Sequence, residues 1–231
     1  MNRPMLSVIV PAFNEAESIA STFKTILDSL SQPERCQIVL VDDGSTDRTA
    51  IIMRELAASG QVAAHVVERP TNGGMGQALA SGFAAATGDV LTWIPGDGEY
   101  ELSEVLLGLP QLDSNDIVLV RRTARNQASR NFVSSVMYLL ISAMFRFDAR
   151  GYCGIFIVGR DRWESLAVQS RDVFFTLEVA IRASSKKWRI GQVDAEWRPR
   201  RAGRSKVFRP TTVLRNVGEL FRFRWSLWMG R

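Results

Sequence analysis

The fold of this chain is most constrained by a regular alternation of short β-branched apolar runs with longer segments of helical pattern. Five runs predict buried strands: LSVIVPAF, QIVLVDD, VAAHVVER, DVLTWIPGD and DIVLVRR. Between the first three lie EAESIASTFKTILDSL and GSTDRTAIIMRELAAS, whose apolar residues recur at helical spacing. In the second helix Ser45 or Thr46 is the expected N-cap. This order predicts an α/β fold with a mostly parallel central sheet and helices on both faces.

The second half of the chain is less regular. Residues 133–145 form an apolar segment too short to span a bilayer, so a core helix is predicted, with an interfacial membrane helix as the alternative. After it, VFFTLEVAIRASSKKW predicts a helix that carries Glu178, and RIGQVDAEWRPR predicts a strand. Residues 211–231, which are basic and aromatic, predict a terminal helix.

Composition narrows the class of protein. The chain has 231 residues, 46% of them hydrophobic, which fits one domain with a sizeable core. No window holds the ~18 uninterrupted apolar residues of a membrane span. The start, MNRPMLSVIVPAFNE, lacks the pattern of a signal peptide, so a cytoplasmic location is expected. Cys36 and Cys153 match neither a disulfide framework nor a zinc spacing, and both are predicted to be core thiols.

The charge of the chain is unevenly distributed. Net charge is +5, and residues 186–231 contain thirteen Lys or Arg against three Asp or Glu. A basic end of this kind is typical of proteins that contact nucleic acid, anionic lipid or a phosphorylated substrate. A solvated surface without a partner is the alternative interpretation.

Carboxylates follow three of the predicted strands. Glu15 comes after the first, Asp42 and Asp43 after the second, and Asp97 after the fourth. Because ligands of parallel α/β sheets bind where strands end and helices begin, these positions are expected to meet at one functional edge. The glycine-rich stretch NGGMGQ does not match a phosphate-binding P-loop, and it does not follow the first strand as a dinucleotide fingerprint would.

Three blocks together, SVIVPAFNEAESI, IVLVDDGSTDRT and NGGMGQALASGFAAATGD, resemble family 2 glycosyltransferases with the GT-A nucleotide-diphosphosugar-binding fold. The resemblance covers nearly the whole chain. It is closest to the polyprenyl-phosphate group, typified by dolichol-phosphate mannosyltransferase, because RRTARNQASR and the pattern Arg-x-x-Gly-x-Ser-Lys are similar to later blocks of that group. The resemblance implies a GT-A domain over residues 1–210 and a membrane-associated basic helix over residues 211–231.

The resemblance also implies a role for individual positions. Around the nucleoside it places Pro11, Phe13, Glu15, Val41 and Asp43. Against the ribose and diphosphate it places Gly96 and Asp97, with Asp97 as ligand of Mg²⁺ or Mn²⁺ and Glu99 near enough to assist. At the phosphates of donor or acceptor it places Arg122, Arg130, Arg200 and Lys206, with Ser205 in the last motif. Such cations suit the chemistry, because a nucleoside diphosphate gains negative charge as it leaves.

The sequence departs from the family pattern in two places. The family has Asp-x-Asp at the end of the fourth strand, whereas this chain has Pro95-Gly96-Asp97. One carboxylate can still suffice, since Mg²⁺ often binds through one or two carboxylates together with substrate phosphates. The stretch DARGYCGIFIVGR lacks the family's aromatic-basic pair. In many relatives an acid near Glu178 deprotonates a sugar hydroxyl, and here Glu178 is either such a base or a residue that positions the sugar or a loop.

The predicted function is therefore that of an inverting glycosyltransferase. It would move a hexose from a UDP- or GDP-linked sugar to a polyprenyl phosphate at the cytoplasmic face of a membrane. One alternative is a soluble family 2 enzyme that acts on a saccharide hydroxyl with Glu178 as base. A second is a catalytically lapsed, lipid-associated binding protein, which the replacement of an acid by Pro95 motivates. No nucleic-acid partner is expected, because the acidic edge would repel phosphates without a metal ion.

Overall fold

The structure is a computed structural model that describes residues 5–123, 151–172 and 174–199, together with Ser142, Phe145, Arg224 and Trp225. Ser142 and Phe145 are helical, and Phe145 is buried, but the rest of the predicted segment 133–145 lies outside the described residues. Arg224 and Trp225 are helical and exposed, and the rest of the predicted terminal helix also lies outside them.

The described residues form seven strands and six α-helices. The strands are β1 (Leu6–Ala12), β2 (Cys36–Asp42), β3 (Ala63–Glu68), β4 (Val90–Trp93), β5 (Ile117–Thr123), β6 (Tyr152–Gly159) and β7 (Ile190–Glu196). The helices are α1 (Ile19–Ser29), α2 (Thr49–Ala58), α3 (Met75–Ala85), α4 (Leu102–Leu106), α5 (Arg160–Leu166) and α6 (Phe175–Ser185). Short 3-10 helices cover Pro33–Arg35 and Leu109–Asp113.

The strands form one sheet in the order β3-β2-β1-β4-β6-β5-β7. Pairs β1–β2, β2–β3, β1–β4 and β5–β7 are parallel, and β6 is antiparallel to both β4 and β5. The predicted mostly parallel sheet is thus confirmed. Because β4 and β5 both run opposite to β6, they run in the same direction. The C-termini of β1, β2, β4, β5 and β7 therefore lie at one edge of the sheet, called here the carboxyl edge.

Strand β6 was not predicted from the sequence. Its buried run, Ile155–Val158, lies in the stretch that was treated only as a departure from the family motif. Thr92 Oγ1 donates a hydrogen bond to the Phe156 carbonyl (2.9 Å), and Trp93 Nε1 donates one to the Gly154 carbonyl (3.0 Å). These contacts add to the pairing of β6 with β4, and β5 pairs with β6 on its other side.

Helices cover both faces of the sheet, as predicted. Helices α3, α5 and α6 pack on one face, where the rings of Phe83 and Trp163 stack with centroids 4.2 Å apart. Gly82 allows α3 to lie close to the sheet, since a Cβ there would be 2.3 Å from Ile9 Cγ2 and 2.9 Å from Val41 Cγ2. Helices α1, α2 and α4 contact one another and the sheet on the opposite face.

Two loops at the carboxyl edge, residues 13–18 and 43–49, interlock through side-chain hydrogen bonds. The Asn14 N–H donates to Ser45 Oγ (2.9 Å), and Asn14 Oδ1 accepts from the Thr46 N–H (2.8 Å). The Glu15 N–H donates to Thr49 Oγ1 (2.9 Å). Each loop therefore satisfies backbone groups of the other, and we call the pair the interlocked loops.

The predicted N-cap of α2 is wrong. The helix begins at Thr49, and Arg48 occupies the N-cap position without a side-chain capping hydrogen bond. Ser45 and Thr46 are instead used by the other loop. Asp47 accepts hydrogen bonds from the N–H groups of Thr49 (2.9 Å) and Ala16 (3.2 Å). Burial raises the pKa of Asp47, but its hydrogen bonds with Thr49 and Ala16 outweigh this, so the pKa lies below its usual range.

A second carboxylate joins α4 to the end of β7. Glu104 Oε2 accepts from the Glu196 N–H (2.8 Å), and Glu104 Oε1 lies 2.8 Å from Arg198 Nη2. Burial raises the pKa of Glu104. The hydrogen bonds from Arg198 and from the Glu196 N–H lower it by more than burial raises it, so the pKa of Glu104 lies below its usual range. Both carboxylates therefore favour the folded state while they are ionised.

We expect the protein to lose stability in acid. A carboxyl group whose pKa is lower in the folded protein stabilises the fold when the pH is above its pKa in the unfolded chain, which is about 4 for Asp and Glu. This stabilisation is lost as pH falls through the folded pKa. Urea midpoints should stay nearly constant from pH 7 to about pH 5 and fall below about pH 4. Glu104→Gln should be less stable at neutral pH and show a shallower acid dependence. Equal slopes for the two proteins would contradict the assignment to Glu104.

Candidate active site

The loop that carries Asp97 lies directly against the end of β1. The Gly96 N–H donates to the Pro11 carbonyl (3.1 Å), and a Cβ on Gly96 would lie 2.9 Å from the Ala12 Cβ. Ser18 joins this loop to the first carboxylate, since its hydroxyl donates to Glu15 Oε2 (2.7 Å) and lies 3.4 Å from the Gly96 carbonyl. The structure thus brings Glu15 and Gly96 together, as the order of the strands predicts.

Residues 95–100, which we call the acidic turn, are held at both ends. Asp97 is buried, and its Oδ1 accepts a hydrogen bond from the Glu99 N–H (3.0 Å). Gly98 takes a left-handed conformation with φ of 73°. The Arg198 N–H donates to the Glu99 carbonyl (2.8 Å). The turn is therefore anchored to β1 on one side and to the chain that leaves β7 on the other.

Asp43 connects the end of β2 to the glycine-rich turn before α3. Its Oδ1 accepts from the Gly73 N–H (3.1 Å), and its Oδ2 accepts from the Gly74 N–H (2.8 Å). Arg69 Nε lies 3.2 Å from Oδ1, and both side chains are largely buried. Asp43 consequently orders the backbone of the edge, and a contact with a ligand would come in addition to these bonds.

Asp42 lies at the same edge, but the family resemblance gave it no role. It is 3% exposed, and its Oδ2 accepts from the Ser45 N–H (3.1 Å). Its Oδ1 is buried and finds no hydrogen-bond partner in the part of the chain that the structure describes. A buried acceptor without a donor is costly and is uncommon in native proteins. The signal in the sequence was its place beside Asp43 at the end of β2.

The other expected nucleoside contacts differ in exposure. Val41 is fully buried and its Cγ2 points toward Gly82 of α3, so its side chain belongs to the core. Pro11 is buried as well, whereas Phe13 and Glu15 are partly exposed. The accessible part of this expected set is therefore Phe13 and Glu15.

Arg122 lies at the same edge, at the end of β5. Its guanidinium carbon stands 4.6 Å from the centroid of the Trp197 ring. Its Nε is buried and has no hydrogen-bond partner among the described residues. Within residues 5–123, 151–172 and 174–199, Arg122 forms no ion pair. Trp197 received no role from the sequence, where only its position just before the Arg-x-x-Gly-x-Ser-Lys pattern distinguished it.

Glu178 lies in α6 and is completely buried. Its carboxylate accepts hydrogen bonds from the N–H groups of Gln169 (3.1 Å) and Ser170 (2.7 Å), and it pairs with Arg182. These bonds hold the loop before α6 in place. The arrangement favours the loop-positioning role over that of a base for a sugar hydroxyl.

Comparison with known proteins decides the family. The model described as "Glycosyl transferase family 2" matches residues 7–176, most of the chain. The chain belongs to glycosyltransferase family 2. The family assignment that the motifs predicted is confirmed, and the protein is a glycosyltransferase.

This family 2 glycosyltransferase has relatives that are named as glycosyltransferases. Glycosyltransferase AglD of Haloferax volcanii is 25% identical over 245 residues, which cover 96% of this chain but only 37% of that protein. A dolichyl-phosphate beta-glucosyltransferase of Trichomonas vaginalis is 25% identical over 224 residues, covering 87% of this chain and 68% of that protein. Relatives of this level support a common family and leave substrates open.

Solved structures confirm the GT-A fold of this family 2 glycosyltransferase. Glucosyl-3-phosphoglycerate synthase of Mycobacterium tuberculosis with UDP superposes with a TM-score of 0.73 at 22% identity, covering 96% of this chain and 80% of that chain. The same enzyme with Mg²⁺ and UDP gives a TM-score of 0.69 at 20% identity, covering 95% and 79%. At this identity the likeness concerns the fold alone.

The oxygen ligands available at the carboxyl edge suit a divalent cation that also binds the phosphates of a nucleotide. No group of three or more His, Cys, Asp or Glu side chains converges on one point among the residues that the structure describes. The acidic turn offers carboxylate oxygens from Asp97 and Glu99, which Mg²⁺ and Mn²⁺ accept. Since Mg²⁺ usually completes its shell with substrate phosphates and water, one carboxylate is compatible with binding in the family 2 glycosyltransferase.

Four expected site residues lie outside the described part of this family 2 glycosyltransferase. They are Arg130, Arg200, Ser205 and Lys206. Their assignment to phosphates stays a prediction. Across the described residues, none of the helices has the length and apolar character to traverse a bilayer.

The two cysteines of the glycosyltransferase are free thiols. Cys36 is buried, and Cys153 is half-buried with its Sγ 3.3 Å from the Val120 carbonyl. Burial raises the pKa of Cys36, and burial raises that of Cys153 to about 11. Neither is ionised at neutral pH, so neither has the thiolate that a nucleophile or metal ligand requires. The predicted core role of the cysteines agrees with this environment.

The loop held by Glu178 rests against the first turn of α3, and a glycine makes this contact possible. A Cβ on Gly76 would lie 2.0 Å from the Asp172 carbonyl oxygen and 2.5 Å from its nitrogen. We therefore expect Gly76→Ala to lower the free energy of unfolding by about 1–3 kcal/mol, as overpacking does. Gly159→Ala is the matched control, because nothing lies within 4 Å of its added methyl group. Equal urea midpoints for the two variants would contradict the prediction.

Proposed function

We propose that this chain transfers a hexose from a UDP- or GDP-linked sugar to a polyprenyl phosphate, with inversion at the sugar carbon. One observation carries the proposal. The acidic turn with Asp97 and the stacked guanidinium of Arg122, which has no ion pair within the described residues, lie at the same carboxyl edge, joined through the end of β7. This edge can thus hold a cation beside a diphosphate and, a short distance away, an anionic acceptor.

The donor would bind along the ends of β1, β2 and β4. The unpartnered Oδ1 of Asp42 is an acceptor for an N–H or hydroxyl of the nucleoside, and Glu15 is a second acceptor at the same edge. Asp97, with Glu99, would hold Mg²⁺ or Mn²⁺. When bound, such an ion offsets the negative charge that develops on the leaving diphosphate.

The acceptor would be a phosphate for two reasons. The carboxyl edge carries cationic side chains, and Glu178 is poorly placed to act as a base. A phosphate is already ionised at neutral pH and needs almost no deprotonation to attack. Glu178, the base that the soluble alternative requires, has its oxygens occupied by Gln169, Ser170 and Arg182. Direct attack of the phosphate opposite the leaving diphosphate inverts the sugar carbon without a covalent enzyme intermediate.

The lipid part of the acceptor is supported by the relatives and by charge. One relative is named for transfer to dolichyl phosphate. Residues 186–231 carry thirteen Lys or Arg and three Asp or Glu, which favours contact with an anionic membrane surface. We place the enzyme at the cytoplasmic face of a membrane, with a GT-A domain over residues 1–210 and a surface-bound helix over residues 211–231. We assign it no nucleic-acid partner.

A thermal-shift screen of UDP- and GDP-sugars with Mn²⁺ tests the donor. At a ligand concentration of 100 Kd, binding stabilises by about 2.7 kcal/mol. For a chain of this size that corresponds to a rise in Tm of roughly 5–10 °C. No shift with any nucleotide sugar and either metal ion would end the proposal.

A transfer assay with the stabilising donor tests the acceptor. Undecaprenyl phosphate and dolichyl phosphate are compared with a neutral alkyl glucoside and with phosphoglycerate. Transfer to the polyprenyl phosphates supports the proposal. Transfer only to the glucoside or phosphoglycerate favours a soluble family 2 enzyme. Donor binding without any transfer favours a lapsed binding protein.

A further inference from the structure

Arg122 and Trp197 are brought together by the pairing of two parallel strands. In the register of β5 and β7, Arg122 is the partner of Ala195 and Thr123 is the partner of Glu196. The Trp197 N–H donates to the Thr123 carbonyl (3.2 Å), which extends the ladder by one step. The Arg122 N–H donates to the Gly151 carbonyl on the other side. The backbone beneath the stacked pair is therefore fixed on both sides.

The neighbouring residue, Arg121, has a carboxylate partner on β7. Arg121 Nε lies 3.6 Å from Asp194 Oδ1, and Arg121 Nη1 donates to Gln192 Oε1 (3.2 Å). Arg122 points to the opposite face of the strand, where the described residues supply it with an aromatic ring in place of a carboxylate. Among the described residues its charge thus has no anionic partner, although its Nε is removed from solvent.

An aromatic face and a carboxylate have different effects on a guanidinium. A carboxylate occupies the N–H edge of the fork, whereas a ring occupies the flat face and leaves that edge open. Arginine donates two parallel hydrogen bonds along this edge to phosphate oxygens. The stacked Arg122 is therefore suited to an anion, and no carboxylate in the described part of the chain neutralises it.

The surroundings of Arg122 also connect it to the acidic turn. Tyr100, the last residue of that turn, and Cys153 of β6 are near enough for the charge of Arg122 to act on both. Burial raises the pKa of Tyr100 well above its usual value, and Arg122 opposes this shift. The backbone gives the same connection, because Arg198, which follows Trp197, donates its N–H to the Glu99 carbonyl of that turn (2.8 Å).

We infer that Trp197 is a positioning residue that holds the Arg122 guanidinium flat, with its N–H edge directed at a phosphate bound at the carboxyl edge. The inference rests on the proposed function only for the source of this phosphate, which is either the donor diphosphate or the lipid phosphate. Trp197 itself need not touch either ligand. A purely structural stack would affect stability and leave the affinity for phosphates unchanged.

Direct binding to two soluble probes tests the inference without requiring turnover. The probes are UDP with Mn²⁺ and farnesyl phosphate, a short polyprenyl phosphate, and both are titrated into the full chain by calorimetry. Trp197→Leu removes the ring face and should weaken binding of at least one probe by about 5–30-fold, the effect of losing one desolvated cation–π contact. Trp197→Phe keeps a ring face and should restore most of that affinity.

Two arginine variants give the matched comparison. Arg122→Lys keeps the charge but loses the planar fork, and it should weaken the same probe as Trp197→Leu. Arg121→Lys alters a cation that already has partners, and it should bind both probes like the wild type. Thermal unfolding of each variant, followed without ligand, separates a loss of affinity from a loss of fold.

The probe that weakens identifies the source of the phosphate. A loss confined to UDP with Mn²⁺ assigns Arg122 to the donor diphosphate, and a loss confined to farnesyl phosphate assigns it to the lipid phosphate. Three results would overturn the inference: unchanged affinities in Trp197→Leu, no recovery in Trp197→Phe, or a wild-type chain that binds neither probe. Failure of sugar transfer alone would contradict the proposed function and leave this inference standing.

Discussion

Asp97→Asn is expected to weaken Mn²⁺-dependent binding of the nucleotide sugar by at least about 100-fold, since even outer-shell partners of metal sites cost 10–100-fold when replaced. The acidic turn offers Asp97 as its buried carboxylate, and Pro95 stands where the family has another acid. Under the proposed function, Asp97 would therefore supply most of the protein's share of metal binding.

The asparagine variant separates charge from shape. Asp97 Oδ1 accepts from the Glu99 N–H (3.0 Å), and the amide oxygen of asparagine can accept the same bond. The turn should keep its conformation, while the negative charge that attracts a divalent ion is lost. Thermal unfolding without ligand should thus be nearly unchanged, in contrast to the loss of donor affinity.

Calorimetry with UDP in the presence and absence of Mn²⁺ checks the expectation. Asp113→Asn is the control, because Asp113 is exposed and lies before β5, at the opposite end of the sheet. It should bind UDP and Mn²⁺ like the wild type. If Asp97→Asn retained metal-dependent affinity within about threefold, which is less than 1 kcal/mol, the acidic turn would not be the metal site.

Glu178→Gln is expected to lower the free energy of unfolding by about 3–5 kcal/mol, the usual cost of removing one partner of a buried ion pair. Glu178 is fully buried, and Arg182 keeps only 14% of its side chain exposed. Within the described residues, one buried nitrogen of Arg182 already has no partner, so the variant would leave its charge largely uncompensated. The amide nitrogen of glutamine would also face a backbone N–H of the loop, and two donors cannot bond.

The expected loss corresponds to a fall in Tm of roughly 6–20 °C for a domain of this size. Glu164→Gln is a matched control, because Arg160 and Glu164 are also four residues apart in a helix. Their closest distance is 3.8 Å and Glu164 is 65% exposed, so this surface pair should contribute less than about 1 kcal/mol. Similar Tm values for both variants would refute the anchoring role of Glu178.

The same variant separates the two kinds of acceptor. A base for a sugar hydroxyl would lose turnover at temperatures where Glu178→Gln is fully folded, with donor binding intact. A loop anchor should keep turnover with a phosphate acceptor at those temperatures. Activity is therefore compared well below the Tm of the variant.

The sequence predicted those site residues whose position follows from the order of the strands. The β-branched runs before Glu15, Asp43 and Asp97 identify buried parallel strands, and parallel strands place their ends together. The structure accordingly joins the loops after β1, β2 and β4 through Gly96, Ser18 and backbone hydrogen bonds. Family motifs added the chemistry that these positions share.

The parts that were not predicted depend on contacts between distant segments. Strand β6 contains the apolar run Ile155–Val158, but its antiparallel position between β4 and β5 depends on pairing with strands far away in the sequence. Ser45 has the residue type of an N-cap, but its hydroxyl oxygen instead accepts a hydrogen bond from the N–H of Asn14, 31 residues earlier. Trp197 becomes significant only when the register of β5 and β7 places it over Arg122.

The interlocked loops have a consequence for the dynamics of the nucleoside side of the edge. Loop amides usually exchange with solvent quickly, because local opening there is nearly free. The amides of Asn14, Glu15 and Thr46 are bonded across two loops, so one loop cannot open without disturbing the other. Their hydrogen exchange should be slow and coupled to the opening of β1 and β2. A donor that arrives at this end meets a surface already in order, and little of its binding free energy is consumed in arranging the protein.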